Sequence, residues 1–133
     1  MRIAVALARL AMALWAGAVA AVGVVVAPRV FGFLDDRARA GELMGPIFRK
    51  VDLFGIFAAV LFAVVARRSR WRLAIAVLLG VAAAANAFVL GPRIPGGSAA
   101  LHHVAEALWA LILLWTLVLA LVGPPPHRPS VIE

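Results

Sequence analysis

The chain has 133 residues, of which 65% are hydrophobic and only 14% charged, and its mean hydropathy is +1.06. So apolar a composition excludes a soluble globular domain, whose surface needs more charge. The net charge of +7 does not point to nucleic acid, because the arginines flank apolar runs, where they meet anionic lipid headgroups. There is no cysteine, so disulfides and cysteine-ligated metals are excluded too.

Four apolar stretches follow in chain order, at 10–27, 47–66, 73–90 and 104–122. Each holds roughly 18 to 20 residues, and at ~1.5 Å per residue such a helix crosses a hydrocarbon core of ~30 Å. None alternates apolar with polar positions, which rules out a membrane β-barrel. The expected fold is therefore all-α, an integral membrane four-helix up-down bundle forming a single domain over residues 1–133.

The first stretch contains Ala18-Val19-Ala20, which resembles a signal-peptide cleavage site. The apolar run continues to Ala27, beyond a signal core of roughly 7 to 15 residues, so a retained first helix is expected. Asp35 and Asp36 then precede Arg37-Ala38-Arg39-Ala40, acids placed for the positive end of a short helix. Such a helix, over about residues 33–45, would lie at the outer surface, with Gly41, Gly45 and Pro46 breaking it before the second span. Arg49, Lys50 and Asp52 form the rim of that span.

Arg67, Arg68, Arg70 and Arg72 crowd the second link without one acid, the densest positive-inside signal in the chain. This places the link in the cytoplasm and both termini with it, in a multi-pass protein of the cell's inner membrane. The first link also carries Arg29, Arg37, Arg39, Arg49 and Lys50, but interleaved with Asp35, Asp36 and Glu42. The third link, at 91–98, is turn chemistry throughout, and Pro124-Pro125-Pro126 ends the last helix before a disordered tail.

Small residues at Ala13 and Gly17 and at positions 82–85 suit close helix approach in lipid. Asn86 is the only amide in a span and Thr116 the only hydroxyl. A helix-to-helix hydrogen bond is the expected role of Asn86, ahead of a ligand contact. Trp15, Trp71 and Trp109 read as interface or packing aromatics. Trp115 is too deep for the interface and should pack between helices or face a partner subunit.

No H-E-x-x-H, P-loop, G-x-G-x-x-G or G-x-S-x-G motif occurs. No catalytic, cofactor or metal residue is therefore assigned, and no cofactor is expected. The up-down topology gathers Asp52, Arg93, His102, His103 and Glu106, with Arg29 nearby, at the outer mouth as a polar cluster. On a helix Glu106 lies four residues from His102 and three from His103, so it can pair with either ring. The competing reading is that these are ordinary interfacial residues. A zinc site of His102, Glu106 and Asp52 is not expected, because no third strong ligand is assured.

Trp15-Ala16-Gly17, then Val26-Ala27-Pro28-Arg29-Val30-Phe31, then Ala40 through Phe48, resemble in order and spacing a small four-helix membrane family, the DUF4149 domain, itself similar to the eukaryotic transmembrane protein 205. Asn86 with Leu90-Gly91-Pro92-Arg93-Ile94, and then His102, continue the resemblance. It implies family-like roles for Gly17, Pro28, Phe31, Gly41, Gly45, Phe48, Asn86, Pro92, Arg93 and His102, but little biochemistry. Bacterial members are mostly uncharacterised, and the eukaryotic relatives are associated with tolerance to drugs and metal compounds. The chain lacks the cysteines and clustered methionines that a soft-metal carrier would use. The HemJ-type protoporphyrinogen oxidases share a Trp, Gly and Pro-Arg signature in the first helix, but here Trp15 and Pro28 are too far apart and no histidine precedes Trp15.

The function expected is an accessory, structural or small-ligand-sensing role in the lipid bilayer, alone, as a homo-oligomer or beside a membrane protein partner. A small-solute transporter or channel acting as an oligomer is the alternative. A membrane enzyme, with haem-linked redox chemistry, is the second. No nucleic-acid partner is expected.

Overall fold

The computed structural model describes residues 2–91 and 99–122. Helix α1 spans Arg2–Ala20 and passes through a π-helical segment, Ala21–Val26, into α2 at Ala27–Phe33. Helix α3 spans Arg37–Ala66, and α4 at Arg70–Ala85 continues through a second π-helical segment, Asn86–Leu90. Helix α5 spans Ala99–Val122. There are thus four rods, with no strand among the described residues.

The runs Ile3–Phe33, Arg70–Leu90 and His103–Val122 are each long and apolar enough to cross a membrane. Helix α3 has the length, at 30 residues, but carries Arg49, Lys50 and Asp52 where its apolar stretch begins. The chain is an all-α membrane protein built as a four-helix bundle. Short links at residues 34–36 and 67–69 make successive rods antiparallel neighbours. Helix α3 packs between α1 and α4, and α5 closes the ring against α4 and α1.

Both π-helical segments run into a small residue followed by proline and arginine, Ala27-Pro28-Arg29 and Gly91-Pro92-Arg93. A proline ring collides with the carbonyl four residues back in a regular α-helix, and the wider π turn moves that carbonyl aside. The Ala27 N–H accordingly donates to Val22 O, and the Gly91 N–H to Asn86 O, each five residues back. A Cβ at Gly91 would lie 2.8 Å from that Asn86 oxygen, so glycine suits this position.

Helix α3 begins as its acids foretell. The Asp36 carboxylate accepts from the Ala38 N–H at 2.9 Å and the Arg39 N–H at 3.4 Å, capping the first turn. The helix then runs unbroken through Gly41, Gly45 and Pro46. The expected break is absent because Ala40 and Met44, one turn apart, are both fully buried. Burying such a strip stabilises the helix against the ~3 kcal/mol cost of an internal proline.

The core is formed by Ala8, Met12, Trp15 and Val19 of α1, Ala58, Phe62 and Ala66 of α3, Ala76, Leu79 and Ala83 of α4, and Ile112 and Leu119 of α5. These fall at the three- and four-residue spacing of helix faces. Close helix approach differs from the expectation. Ala13 and Gly17 face outward, and no atom lies within 4 Å of a Cβ built at Gly17. The tight contacts are instead at Gly55, where a Cβ would fall inside the Trp15 ring, at Gly23 against Trp109, and at Gly80 against Ala59.

Candidate functional site: a polar set inside the bundle

Each rod delivers one buried polar side chain to the interior: Trp15 from the first, Asp52 from the second, Asn86 from the third and Thr116 from the fourth. Asp52 is 2% exposed and Asn86 5%. Asp52 is turned into the bundle, because its strip of α3 also carries Gly55 and Ala59, which face the neighbouring rods.

Contacts between the rods fix the relative heights of these groups. The Arg49 guanidinium lies 5.6 Å from the centre of the Phe88 ring, and Gly80 adjoins Ala59. Helices α3 and α4 are antiparallel, so Asp52 and Asn86 fall at the same level between those two contacts. The Trp15 indole rests on Gly55, one turn further along α3. From the opposite corner of the ring, the Trp109 side chain approaches the Asp52 carboxyl group. Trp109 is itself held edge-on against Phe48, with ring centroids 4.7 Å apart at 84°. Thr116 lies two turns beyond Trp109 on the same side of α5, about 10 Å along the axis.

The hydrogen-bonding capacity of this set is largely unused. Among the described residues, Asp52 Oδ1, both polar side-chain atoms of Asn86, Thr116 Oγ1 and Trp15 Nε1 are buried with no protein partner. The helix-to-helix bond expected of Asn86 is therefore not formed. An unpaired buried donor or acceptor costs ~1–3 kcal/mol, and a charged one more. Sets of this kind in a membrane interior mark functional positions. The acceptors could hold a proton or a small cation, and the indole and amide N–H groups could orient a small polar molecule.

The remaining sequence candidates are placed as follows. His103 Nδ1 lies 3.3 Å from Glu106 Oε2, both side chains largely exposed on α5. Arg93 and Pro92 lie outside the described residues, as does the side chain of His102. Pro28 opens α2, Phe31 is half-buried, and Gly41 and Gly45, like Gly17, have open space where a Cβ would stand. No group of three His, Asp or Glu suited to a metal ion occurs among the described residues. Trp15 and Trp109 are the site residues that sequence reading placed only as packing or interface aromatics. Their places depend on other rods, Trp15 on Gly55 and Trp109 on Gly23 and Phe48, which no local pattern in the sequence marks.

Comparison with known proteins gives a family and no more. No curated protein and no solved structure matches the chain, so the likeness to transmembrane protein 205 is not shown. The family profile described as "Domain of unknown function (DUF4149)" matches residues 10–103, which takes in the first three rods, Asp52 and Asn86. The chain belongs to the DUF4149 family.

Proposed function

We propose that the protein is a small accessory protein of the cell's inner membrane that senses or holds a small polar ligand in its interior, with both termini in the cytoplasm. The observation that carries this reading is that each of the four rods contributes a buried polar group with unused hydrogen-bonding capacity. An interior serving packing alone would be filled by leucine, alanine and phenylalanine, as the rest of this core is. Tight seating of Trp15 on Gly55 and of Trp109 on Gly23 and Phe48 limits the ligand to a few atoms. Trp115, 40% exposed on α5, offers a large side chain to a second copy or a membrane partner.

The test is mass spectrometry of small molecules that copurify with detergent-solubilised wild type, Asp52→Asn and Asn86→Leu. A species retained by the wild type and lost from both folded variants is expected. Retention unchanged by both substitutions would overturn the reading. For the orientation, single cysteines at Ser69 and Ser98 should label oppositely with a membrane-impermeant reagent, Ser98 from outside.

Transport of a small solute is the second reading. The two π-helical interruptions, in the first and third rods and toward the same end of the bundle, favour it. Solute uptake into proteoliposomes that is abolished by Asp52→Asn would select it.

A further inference from the structure

The end of the bundle formed by the α3–α4 turn is basic and, among the described residues, carries no counter-charge. Arg67, Arg68 and Arg70 are exposed there, and Arg72 is half-buried. The acids of the described residues lie elsewhere: Asp35, Asp36 and Glu42 around the start of α3, Asp52 in the interior, and Glu106 near the start of α5. Arg72 stacks on Trp71, its Cζ 5.0 Å from the ring centre, while its Nε and Nη1 are buried without a protein partner among the described residues. Ser69, the residue preceding α4, makes no side-chain capping bond, so the first N–H groups of that helix remain available to an anion. Trp71 is 48% exposed beside them, the placement of an aromatic at a membrane interface.

A second feature begins directly above this turn. An apolar groove of about 270 Å³ runs between α3 and α4, lined among others by Ala59, Val60, Ala63, Ala76, Val77 and Gly80. Ala63 lies four residues before Arg67, and Ala76 four residues after Arg72. From Ala76 to Ala84 the groove extends for about 12 Å at 1.5 Å per residue. It is shallow because small residues line it, and Val60 and Val77 at its edges are more than half exposed.

We propose that this face binds one anionic phospholipid, with its phosphate on the arginine turn and an acyl chain along the α3–α4 groove. The arginines supply charge-assisted donors for the phosphate. The uncapped start of α4 adds backbone N–H groups, and the groove accepts the chain that a free phosphate ion lacks. A zwitterionic lipid fits the groove equally but gains less at the turn, because its headgroup carries its own cation.

The test is native mass spectrometry of the full-length protein released from mild detergent, with dioleoyl phosphatidylglycerol and dioleoyl phosphatidylcholine as competing probes. Wild type should retain the glycerol lipid about tenfold over the choline lipid, the scale expected when a few basic residues each attract an anionic headgroup. Arg70→Gln with Arg72→Gln should bring the ratio close to one, and Arg29→Gln with Arg39→Gln, at the other end, should leave it unchanged. Circular dichroism in phosphatidylcholine micelles checks that each variant is folded. If the double variant fails to fold, Arg68→Gln alone should still lower the ratio. Equal retention of the two lipids by wild type, or a ratio indifferent to the arginine changes, would overturn the proposal. Stabilisation by glycerol phosphate or inorganic phosphate as large as that by the intact lipid would also overturn it, by assigning the turn to a free anion.

Discussion

Asp52 and Glu106 are both carboxylates inside apolar helices, and the bundle treats them in opposite ways. Asp52 is turned inward, 2% exposed, beneath the Trp109 indole. The Glu106 side chain is 60% exposed and meets His103 on its own helix. What separates them is angle around the helix axis. Asp52 shares a strip with Gly55 and Ala59, which touch neighbouring rods, whereas Glu106 lies off the strip that carries Ile112, Thr116 and Leu119 into the core. In a bundle of this kind, rotational position decides whether an acid belongs to a packed site or to the surface.

If that contrast holds, substitutions around Asp52 should have large effects and those around Glu106 small ones. The largest is expected at Gly55, where a methyl group would collide with the Trp15 ring. Gly55→Ala should lower stability by about 1–3 kcal/mol or more, as overpacking does, measured by thermal unfolding in detergent. Gly17→Ala, on the open side of α1, should leave stability unchanged or raise it slightly, since alanine is the better helix former. Equal losses at the two glycines would erase the distinction between the packed and open faces.

Asp52→Asn keeps the shape of the side chain and removes its formal charge from the interior. It should raise the unfolding temperature, by a free energy on the order of 1–3 kcal/mol, because a buried charge without a full set of partners costs more than the neutral amide that replaces it. A stabilised variant that no longer retains ligand would show that the carboxylate is kept at the expense of stability. A destabilised one would mean that the interaction with Trp109 outweighs the cost of burial. Asn86→Leu should give a gain of about 1 kcal/mol, because it removes two buried polar atoms that have no protein partner among the described residues. A clear loss of stability would restore the helix-to-helix hydrogen bond as the role of Asn86.

Four helical rods were legible from length and hydropathy, because three carry apolar runs long enough to cross a membrane and the fourth has the length. The Asp36 cap was legible too, being decided by neighbours in sequence. The continuity of α3 through Gly41, Gly45 and Pro46 was not, since local breaking tendencies there are overridden by burial of Ala40 and Met44. The same limit applies to the site. Placing Asp52, His103 and Glu106 toward one end follows from up-down topology, but telling the buried acid from the two exposed side chains requires the rotation of each helix. Likewise, Ala13 and Gly17 have the composition of a contact and Gly55 makes one, a difference visible only once Trp15 is seen lying across α3.

The smallest effect is expected at Glu106, and it tests the exposed half of the comparison most sharply. Glu106 and His103 are one turn apart on α5, with 3.3 Å between Oε2 and Nδ1. Both side chains are largely exposed, at 60% and 76%. A pair in that setting gains little, because solvent or headgroups compete for each partner and ordering two side chains costs entropy. Pairs of this kind contribute less than about 1 kcal/mol. Glu106→Gln should therefore shift the unfolding temperature only slightly, and the double variant with His103→Gln should show a coupling of a few tenths of a kcal/mol, measured as a double-mutant cycle. Ligand retention should be unaffected, since both side chains of the pair are exposed whereas Asp52 and Asn86 are buried. If Glu106→Gln instead destabilised the protein as much as Gly55→Ala, or released the ligand, the outer acids and histidines would have to be reunited with the interior site, and the division between the two carboxylates would fail.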